Sequence, residues 1–311
     1  MFDEKTPVFN IDWLHGSMPG LLNIQKFLYE LEALDPDKLN IKRWAKWSRG
    51  LYNYSTRLCL NDKATINVAW VQDDNHVSYY AVDTGFNPGC FVSISGDGIR
   101  YLGSELLAKV MKLLFNYGFR CSRIDINCDI FDKTNDVIPM YLEAIDNYRR
   151  RNFGNGDPVM MCCGSKKINF VSYYDLSRSV EVLNVTMGNK ASDRCMFRIY
   201  DKYYEITNGR LSSLSDEMLK DIPSDYWYRI EFEVHKKYAE GLFNDFVLGK
   251  CTVAQAFVAC CRFYRVIESR YVTKLDNCLS TQGPEFEVWS KFLQVCSMIQ
   301  NEYLVVKHWR C

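Results

Sequence analysis

Hydrophobic and polar residues in the first 120 positions follow two periods, one typical of helices and one of strands. Residues 8–14 predict a first strand. Apolar residues then recur at helical spacing over residues 21–34, and Pro36 ends that helix because a proline disfavours helix in the residue before it. Ser104 is placed as the N-cap of an amphipathic helix that ends at Gly118. Between these helices, apolar runs separated by Asn, Asp, Gly and Pro predict a meander of antiparallel strands, at residues 51–60, 65–71, 77–82 and 90–95.

The second half repeats this order loosely. A strand at residues 121–130 and a helix at 137–148 are followed by further strand-like runs, at residues 159–174, 180–187, 195–200 and 226–235. The chain then reads as helical, with long segments at 253–275 and 285–306. We therefore predict an α+β fold of largely antiparallel sheets with packed helices, in which residues 1–250 form the main domain and residues 251–311 a small helical C-terminal region.

Composition narrows the class of protein. With 311 residues and 48% hydrophobic residues, the chain can bury a substantial core. No stretch approaches the roughly 18 apolar residues of a membrane span, and no apolar segment follows the charged N-terminus, so we expect a cytoplasmic protein without a membrane partner. Lys+Arg and Asp+Glu number 38 each, so any nucleic-acid surface must be local.

The thirteen cysteines show no metal-binding or disulfide pattern. The chain has no C-x-x-C pair, and the odd total is scattered along its length. This spacing favours reduced thiols that serve as small core residues.

Three predicted strands carry their charged residues on alternate positions. Because side chains alternate across a strand, each of these strands has one apolar and one polar face. The polar positions are Arg123, Asp125, Asn127 and Asp129 on one strand, Arg229, Glu231, Glu233 and His235 on another, and Arg198, Tyr200 and Lys202 on a third. Solvated outer faces explain any one strand by itself. Asp, Asn and Glu are poor strand formers, however, and carboxylates held on a rigid sheet suit a divalent cation that takes oxygen ligands.

Segments of the chain resemble the replication initiation factor family, which includes rolling-circle plasmid initiators, phage replication proteins and relaxases of conjugative elements. The resemblance extends from about residue 10 to about 245. It rests on the turn at residues 94–98 and on four further segments, at residues 11–14, 123–129, 188–205 and 229–231.

This resemblance implies a relaxase-like nicking domain with Tyr200 as the nucleophile of an R-x-Y-x-K-x-x-E motif, formed here by Arg198, Tyr200, Lys202 and Glu205. A tyrosine can attack a phosphodiester and keep the strand as a phosphotyrosine. Because its ordinary pKa is about 10, Tyr200 needs a neighbouring cation or base, for which Lys202 and Arg198 are candidates.

The resemblance also implies Asp125 and Glu231 as first ligands of Mg²⁺ or Mn²⁺, with Asp129 and Glu233 as weaker candidates. A histidine-cluster site is not expected, because the chain has only 4 histidines. Tyr203 is expected to pack in the core. If the chain turns helical after Tyr200, Tyr204 at i+4 lies near it as an alternative nucleophile.

A basic and aromatic segment is a candidate surface for single-stranded DNA, because it combines phosphate neutralisation with base stacking. Its members are Lys42, Arg43, Trp44, Lys46, Trp47 and Arg49. The alternative is an amphipathic helix whose tryptophans lie in the core.

The sequence thus favours a DNA strand transferase of plasmid, phage or other mobile-element origin. It is expected to bind origin DNA as a single strand or hairpin, nick one strand, and leave a 5′-phosphotyrosine and a free 3′-OH. Two alternatives stay open: a DNA-binding regulator without chemistry, and a metal-dependent nuclease that uses water. The C-terminal helices are candidates for reading duplex DNA, forming a homodimer or recruiting a host helicase.

Overall fold

The computed structural model describes residues 7–21, 23–46, 54–60, 63–70, 89–131, 136–162, 168–175, 180–188, 195–208, 226–272, 274–275, 278–279 and 283–299. A ten-stranded sheet organises this part of the chain, and every neighbouring pair in it is antiparallel. Its strands are β1 (Val8–Met18), β2 (Asn40–Lys46), β3 (Tyr54–Leu60), β4 (Lys63–Trp70), β5 (Cys90–Ile94), β6 (Arg120–Ile130), β8 (Ile168–Asp175), β9 (Val180–Met187), β10 (Cys195–Asp201) and β11 (Tyr228–His235). Their order is β2-β3-β4-β5-β1-β6-β11-β10-β9-β8.

Short strands and helices complete the described part. Outside the main sheet, β7 (Pro158–Cys162) pairs with β12 (Tyr264–Glu268), and β13 (Lys274–Leu275) pairs with β14 (Cys278–Leu279). The helices are α1 (Ile24–Glu32), α2 (Gly96–Asn116), α3 (Val137–Arg150), α4 (Lys202–Asn208), α5 (Lys236–Val247), α6 (Val253–Cys261) and α7 (Glu287–Met298).

The sheet consists of two halves with the same connectivity. In the first half β1 and α1 are followed by β2 to β5, which run from the outer edge of the sheet to its centre. In the second half β6 and α3 are followed by β8 to β11, which do the same from the opposite edge. Since β1 and β6 are neighbours, the strands β5, β1, β6 and β11 form the middle of the sheet. This arrangement confirms the predicted α+β class and the loose repeat.

One face of the sheet is the core and the other is polar. Helix α2 packs on β1, β4 and β5, whereas α5 packs on β6 and β11 and α6 on β1 and β6. The apolar residues of the central strands point to these helices and are buried, as with Ile124, Ile126, Phe232 and Val234. We call the opposite side the polar face.

Two local features adjust the elements to this layout. A β-bulge in β1 leaves Asp12 as an extra residue between Ile11 and Trp13 in the pairing with β6. In α2, Gly103 has φ 70° and ψ 175°, so the helix is kinked there. The first turn of α2 begins earlier than predicted, with Ser95 as N-cap, and the predicted start at Ser104 coincides with the kink.

The structure corrects the prediction of one helix over residues 253–275. Helix α6 ends at Cys261, and β12 then pairs with β7. A run of apolar residues is compatible with a buried helix or a buried strand, and here β7 supplies the backbone partner that selects the strand. Residues of α6, β12 and α7, among them Phe257, Val266 and Trp289, join the same core as the central strands.

Other expectations have mixed outcomes. The predicted strand at 159–174 is two separate strands, β7 and β8. The predicted strand at 77–82 and the end of the segment 285–306 lie outside the described residues. The structure describes the side chains of eight cysteines; all eight are free thiols and seven are buried, as expected for core residues. No described helix has the length and apolar character needed to cross a membrane.

Candidate active site

The charged residues predicted to alternate on three strands meet at the middle of the polar face. The registers place Asp125 opposite Glu233, Asn127 opposite Glu231, and Arg198 opposite Glu231. These carboxyl and amide groups are almost fully buried: Asp125 is 2%, Asn127 0% and Glu231 3% exposed. A buried carboxylate is costly unless it is paired, so this cluster is not an ordinary solvated strand face.

Tyr200 lies in this cluster and donates a hydrogen bond from its hydroxyl to Glu231 Oε2 at 3.0 Å. The side chain is 8% exposed. Burial, followed by the negative charge of Glu231, holds the pKa of Tyr200 well above its ordinary value. The hydroxyl is therefore protonated at neutral pH, and it already points its proton at a carboxylate.

Arg198 bridges the carboxylates next to Tyr200. Its guanidinium forms an ion pair with Glu233, lies 3.3 Å from Glu231 Oε1 and 4.0 Å from Asp125 Oδ2. Arg123 donates to both oxygens of Asp125, at 2.8 and 2.5 Å, and lies 3.0 Å from Glu233. Both arginines therefore neutralise carboxylates.

Burial outweighs the arginine contacts at two of the carboxyl groups. Burial raises the pKa of Asp125 to about 7, and the charges of Glu231 and Glu233 contribute to that rise. Burial also raises the pKa of Glu231, although Arg198 opposes the rise. Both carboxyl groups therefore release their protons at a higher pH than an ordinary carboxyl group does.

A second ion-pair group lies beside the first. Arg229 donates to both oxygens of Asp129, at 2.7 and 2.8 Å, and its other nitrogen lies 3.0 Å from Asp12 Oδ1. Burial raises the pKa of Asp12, but Arg229, Lys202 and Arg100 together lower it more, so the net pKa is below its ordinary value. A Cβ at Gly96 would lie 2.8 Å from Asp12 Oδ1, so the glycine at the start of α2 makes room for this carboxylate.

Asn127 stands out because neither polar atom of its side chain has a hydrogen-bond partner, although the residue is fully buried. An unsatisfied buried polar group costs about 1–3 kcal/mol, and such groups in folded proteins call for an explanation such as a bound water or ion. Asn127 lies between Asn10 on β1 and Glu231 on β11, and between Asp125 and Asp129 on its own strand. Its carboxamide therefore adjoins the acidic cluster.

The donor set fits a divalent cation that is held partly by substrate. Five carboxylates face three guanidinium groups here, which leaves a formal charge of −2; they are Asp12, Asp125, Asp129, Glu231 and Glu233 against Arg123, Arg198 and Arg229. Within the described ranges, no group of three or more His, Cys, Asp or Glu side chains is arranged to hold a metal ion unaided. Mg²⁺ commonly takes only one or two carboxylates and completes its shell with water and phosphate oxygens.

The segment after Tyr200 differs from the prediction. Strand β10 ends at Asp201, whose side chain accepts from the backbone N–H of Tyr204 at 2.7 Å, and α4 begins at Lys202. Lys202 is thus a helical residue and not part of the strand face. Its ammonium still lies 5.6 Å from the centre of the Tyr200 ring and donates to Glu205 at 2.5 Å.

The two neighbouring tyrosines are now distinguished from Tyr200. Tyr203 packs against the small core cluster of Phe131, Ile206 and Trp227, as expected. Because Tyr200 belongs to a strand and Tyr204 to a helix, the two do not form an i,i+4 pair on one helix. A role for Tyr204 as an alternative nucleophile stays a prediction.

The basic and aromatic segment forms a strand instead of the amphipathic helix considered for it. Lys42, Arg43, Trp44 and Lys46 belong to β2 at the edge of the sheet, whereas Trp47 and Arg49 lie outside the described residues. Arg43 stands opposite Arg57, and Trp44 opposite Thr56. Contact of this segment with DNA stays a prediction.

Three residues of the cluster were not given a role from the sequence, namely Asp12, Asn127 and Arg229. The alternation of polar and apolar residues along their strands predicts that Asn127 and Arg229 lie on the polar face. The local sequence does not predict that Asp12 belongs to the cluster, because its position depends on the bulge in β1 and on its contact with Arg229.

Comparison with known proteins shows that the fold of this chain is a known one. No protein-family model matches the chain, and no curated protein matches it either. A solved structure, that of a rolling circle replication initiator protein from Geobacillus stearothermophilus, matches with a TM-score of 0.61. The match covers 93% of this chain and 96% of the other at 14% sequence identity. The chain has the fold of a rolling-circle replication initiator. At this identity the likeness concerns the fold, and the chemistry rests on the residues described above.

Proposed function

We propose that the protein is a DNA replication initiator that nicks one strand of origin DNA with Tyr200. The observation that carries the proposal is the buried Tyr200–Glu231 hydrogen bond inside a cluster of five carboxylates and three arginines. The resemblance in sequence and the shared fold supply the reaction class.

In the proposed reaction Glu231 orients the hydroxyl of Tyr200 and accepts its proton. The phenolate oxygen attacks the phosphorus of a phosphodiester, the P–O3′ bond breaks, and the 5′ phosphate stays on Tyr200. The O3′ atom leaves, takes up a proton and becomes a free 3′-OH. A general base of this kind contributes about 10²–10⁴-fold to a rate. Lys202 supplies positive charge next to the ring.

We further propose that the reaction uses Mg²⁺ or Mn²⁺ bound through Asp125, Glu231 and the side-chain oxygen of Asn127. Such an ion would polarise the scissile phosphate. The formal charge of −2 and the unsatisfied amide of Asn127 support this assignment. Asp129 and Glu233 stay the weaker candidates that the resemblance implies, although arginines contact Asp125 in the same way as they contact these two carboxylates.

The test is adduct formation with a labelled single-stranded origin oligonucleotide in the presence of Mn²⁺. We expect the wild-type protein and the matched control Y204F to form a covalent adduct, and Y200F to form none while it still binds the oligonucleotide. An adduct with Y200F would show that another group is the nucleophile. Binding without an adduct under any metal would favour the regulator instead.

A further inference from the structure

The first residue of β12, Tyr264, connects the C-terminal part of the chain to the strand of the proposed nucleophile. Its hydroxyl oxygen lies 2.8 Å from the carbonyl oxygen of Cys195, the first residue of β10. It also lies 3.2 Å from the carbonyl oxygen of Met187, the last residue of β9. Because a hydroxyl group has one proton, it donates to one of these two carbonyl groups at a time.

The two carbonyl groups lie where the pairing of β9 with β10 ends. The paired residues run from Phe197 opposite Met187 to Tyr200 opposite Asn184, and Cys195 lies beyond the first of these pairs. The Tyr264 side chain is 2% exposed, and a hydrogen bond away from water is electrostatically stronger than one in water. Its hydroxyl therefore joins the two strands at the end of their pairing that is remote from Tyr200.

The glycine that follows β9 allows this close approach. Gly188 has φ 115°, a backbone conformation that residues with a side chain rarely adopt. A Cβ at this position would lie 2.8 Å from the Tyr264 hydroxyl oxygen and 3.2 Å from the Cα of Met196. The backbone at the end of β9 is thus shaped so that the hydroxyl reaches both carbonyl groups.

The ring of Tyr264 packs on the core side of the same strands. Its centre lies 5.3 Å from that of the Phe197 ring on β10 and 5.9 Å from that of the Phe232 ring on β11. Phe197 precedes Tyr200 by three residues, and Phe232 follows Glu231, the hydrogen-bond partner of Tyr200. Tyr264 therefore contacts both strands that carry the Tyr200–Glu231 pair, from the face opposite to that pair.

We propose that Tyr264 is a positioning residue, which holds β10 in the place where Tyr200 meets Glu231. The inference rests on the proposed nicking function. It gives the C-terminal part of the chain a role in the reaction, because β12 supports the strand of the nucleophile. Without the hydroxyl group, the paired end of β9 and β10 is free to move. A displacement of a reacting group by about 1 Å can cost about 10²-fold in rate.

The test compares Y264F with the matched control Y141F. Tyr141 is fully buried and also packs on Phe197, with 5.4 Å between the ring centres. Its hydroxyl, however, has no hydrogen-bond partner among the residues that the structure describes. Each variant thus removes one buried hydroxyl group from the same core and keeps the ring.

Two measurements are made on each protein. Amide hydrogen exchange of residues 184–187 and 195–200, without DNA, reports how firmly the two strands are held together. Single-turnover adduct formation with a labelled single-stranded origin oligonucleotide gives the rate of the chemical step, and anisotropy gives the affinity for the same oligonucleotide. A change in rate at constant affinity separates positioning of the nucleophile from DNA binding.

For Y264F we expect faster exchange in both segments, a single-turnover rate about tenfold below that of the wild type, and an unchanged affinity. Y141F should behave like the wild type. Unchanged exchange in Y264F would overturn the proposal, and so would faster exchange with an unchanged rate. An equal loss of rate in both variants would also overturn it, because that result assigns the effect to core packing. Failure of the wild-type protein to form any adduct refutes the nicking function, whereas unchanged exchange in Y264F refutes the role of Tyr264 alone.

Discussion

Replacing Asn127 with leucine tests whether Asn127 is a metal ligand or only a core residue with unsatisfied polar atoms. Leucine has the same number of side-chain heavy atoms as asparagine but no polar atom. Removing the buried, unsatisfied carboxamide recovers about 1–3 kcal/mol, and the bulkier methyl groups cost a similar amount in a tightly packed site. We therefore expect the metal-free N127L protein to unfold within a few degrees of the wild type.

The metal-bound proteins should differ more clearly. A ligand at one hundred times its Kd stabilises the folded state by about 2.7 kcal/mol, and a tenfold weaker affinity leaves about 1.4 kcal/mol. Removal of one oxygen ligand is expected to weaken Mn²⁺ binding at least tenfold. At about 2 °C for each kcal/mol in a chain of this size, the shift in Tm caused by Mn²⁺ should fall by about half.

The assay is thermal unfolding with and without Mn²⁺, supported by calorimetric titration of the metal. The variant N127A serves as a control for overpacking, because it removes the carboxamide without adding volume. If Mn²⁺ stabilises N127L and N127A as much as the wild type, Asn127 is not a ligand. If Mn²⁺ does not stabilise the wild-type protein in the presence of the oligonucleotide, the metal proposal itself is refuted.

Three further predictions concern the same cluster. E231Q should slow adduct formation by about 10²–10⁴-fold in a single-turnover assay while Y204F reacts normally, and an unchanged rate would exclude Glu231 as the base. R229M should lower the free energy of unfolding in urea by about 3–5 kcal/mol, because it leaves Asp12 and Asp129 without their cation; a decrease below about 1 kcal/mol would contradict this. The pKa of Asp125 is about 7 in the folded protein and ordinarily 3.8, so between these values the folded state holds a proton that the unfolded chain has released. The stability of the metal-free protein should therefore fall as the pH rises from about 4 to 7, and D125N should flatten this dependence in urea titrations.

Much of the fold follows from local patterns. The alternation in β6, β10 and β11 predicted which side chains share a face, and the sheet brings those side chains together. The end of α2 near Gly118 was predicted correctly because glycine readily adopts the positive φ that follows a helix, and Gly118 has φ 71°.

What local patterns did not predict depends on long-range partners. Strand β12 exists because β7, about one hundred residues earlier, pairs with it, so its apolar residues alone looked helical. Asp12 belongs to the cluster because a bulge shifts the alternation of β1. Lys202 is a helical residue and not the predicted strand residue, because Asp201 caps a helix that begins at Lys202.

The hydrogen bond between Tyr200 and Glu231 is likewise a tertiary contact. Both residues were selected from the sequence, the first as nucleophile and the second as metal ligand. Their direct contact gives Glu231 a proposed second role as proton acceptor, which spacing along the chain does not reveal.

Mass-spectrometric mapping of the covalent adduct with DNA determines the nucleophile most directly. Cleavage after Arg198 and Lys202 yields a peptide of residues 199–202, in which Tyr200 is the one tyrosine, while Tyr203 and Tyr204 fall in the next peptide, residues 203–210. We expect a nucleotide remnant on residues 199–202 after digestion of the adduct formed with origin DNA and Mn²⁺. A remnant on residues 203–210, or cleaved DNA without any adduct, would refute Tyr200 as the nucleophile.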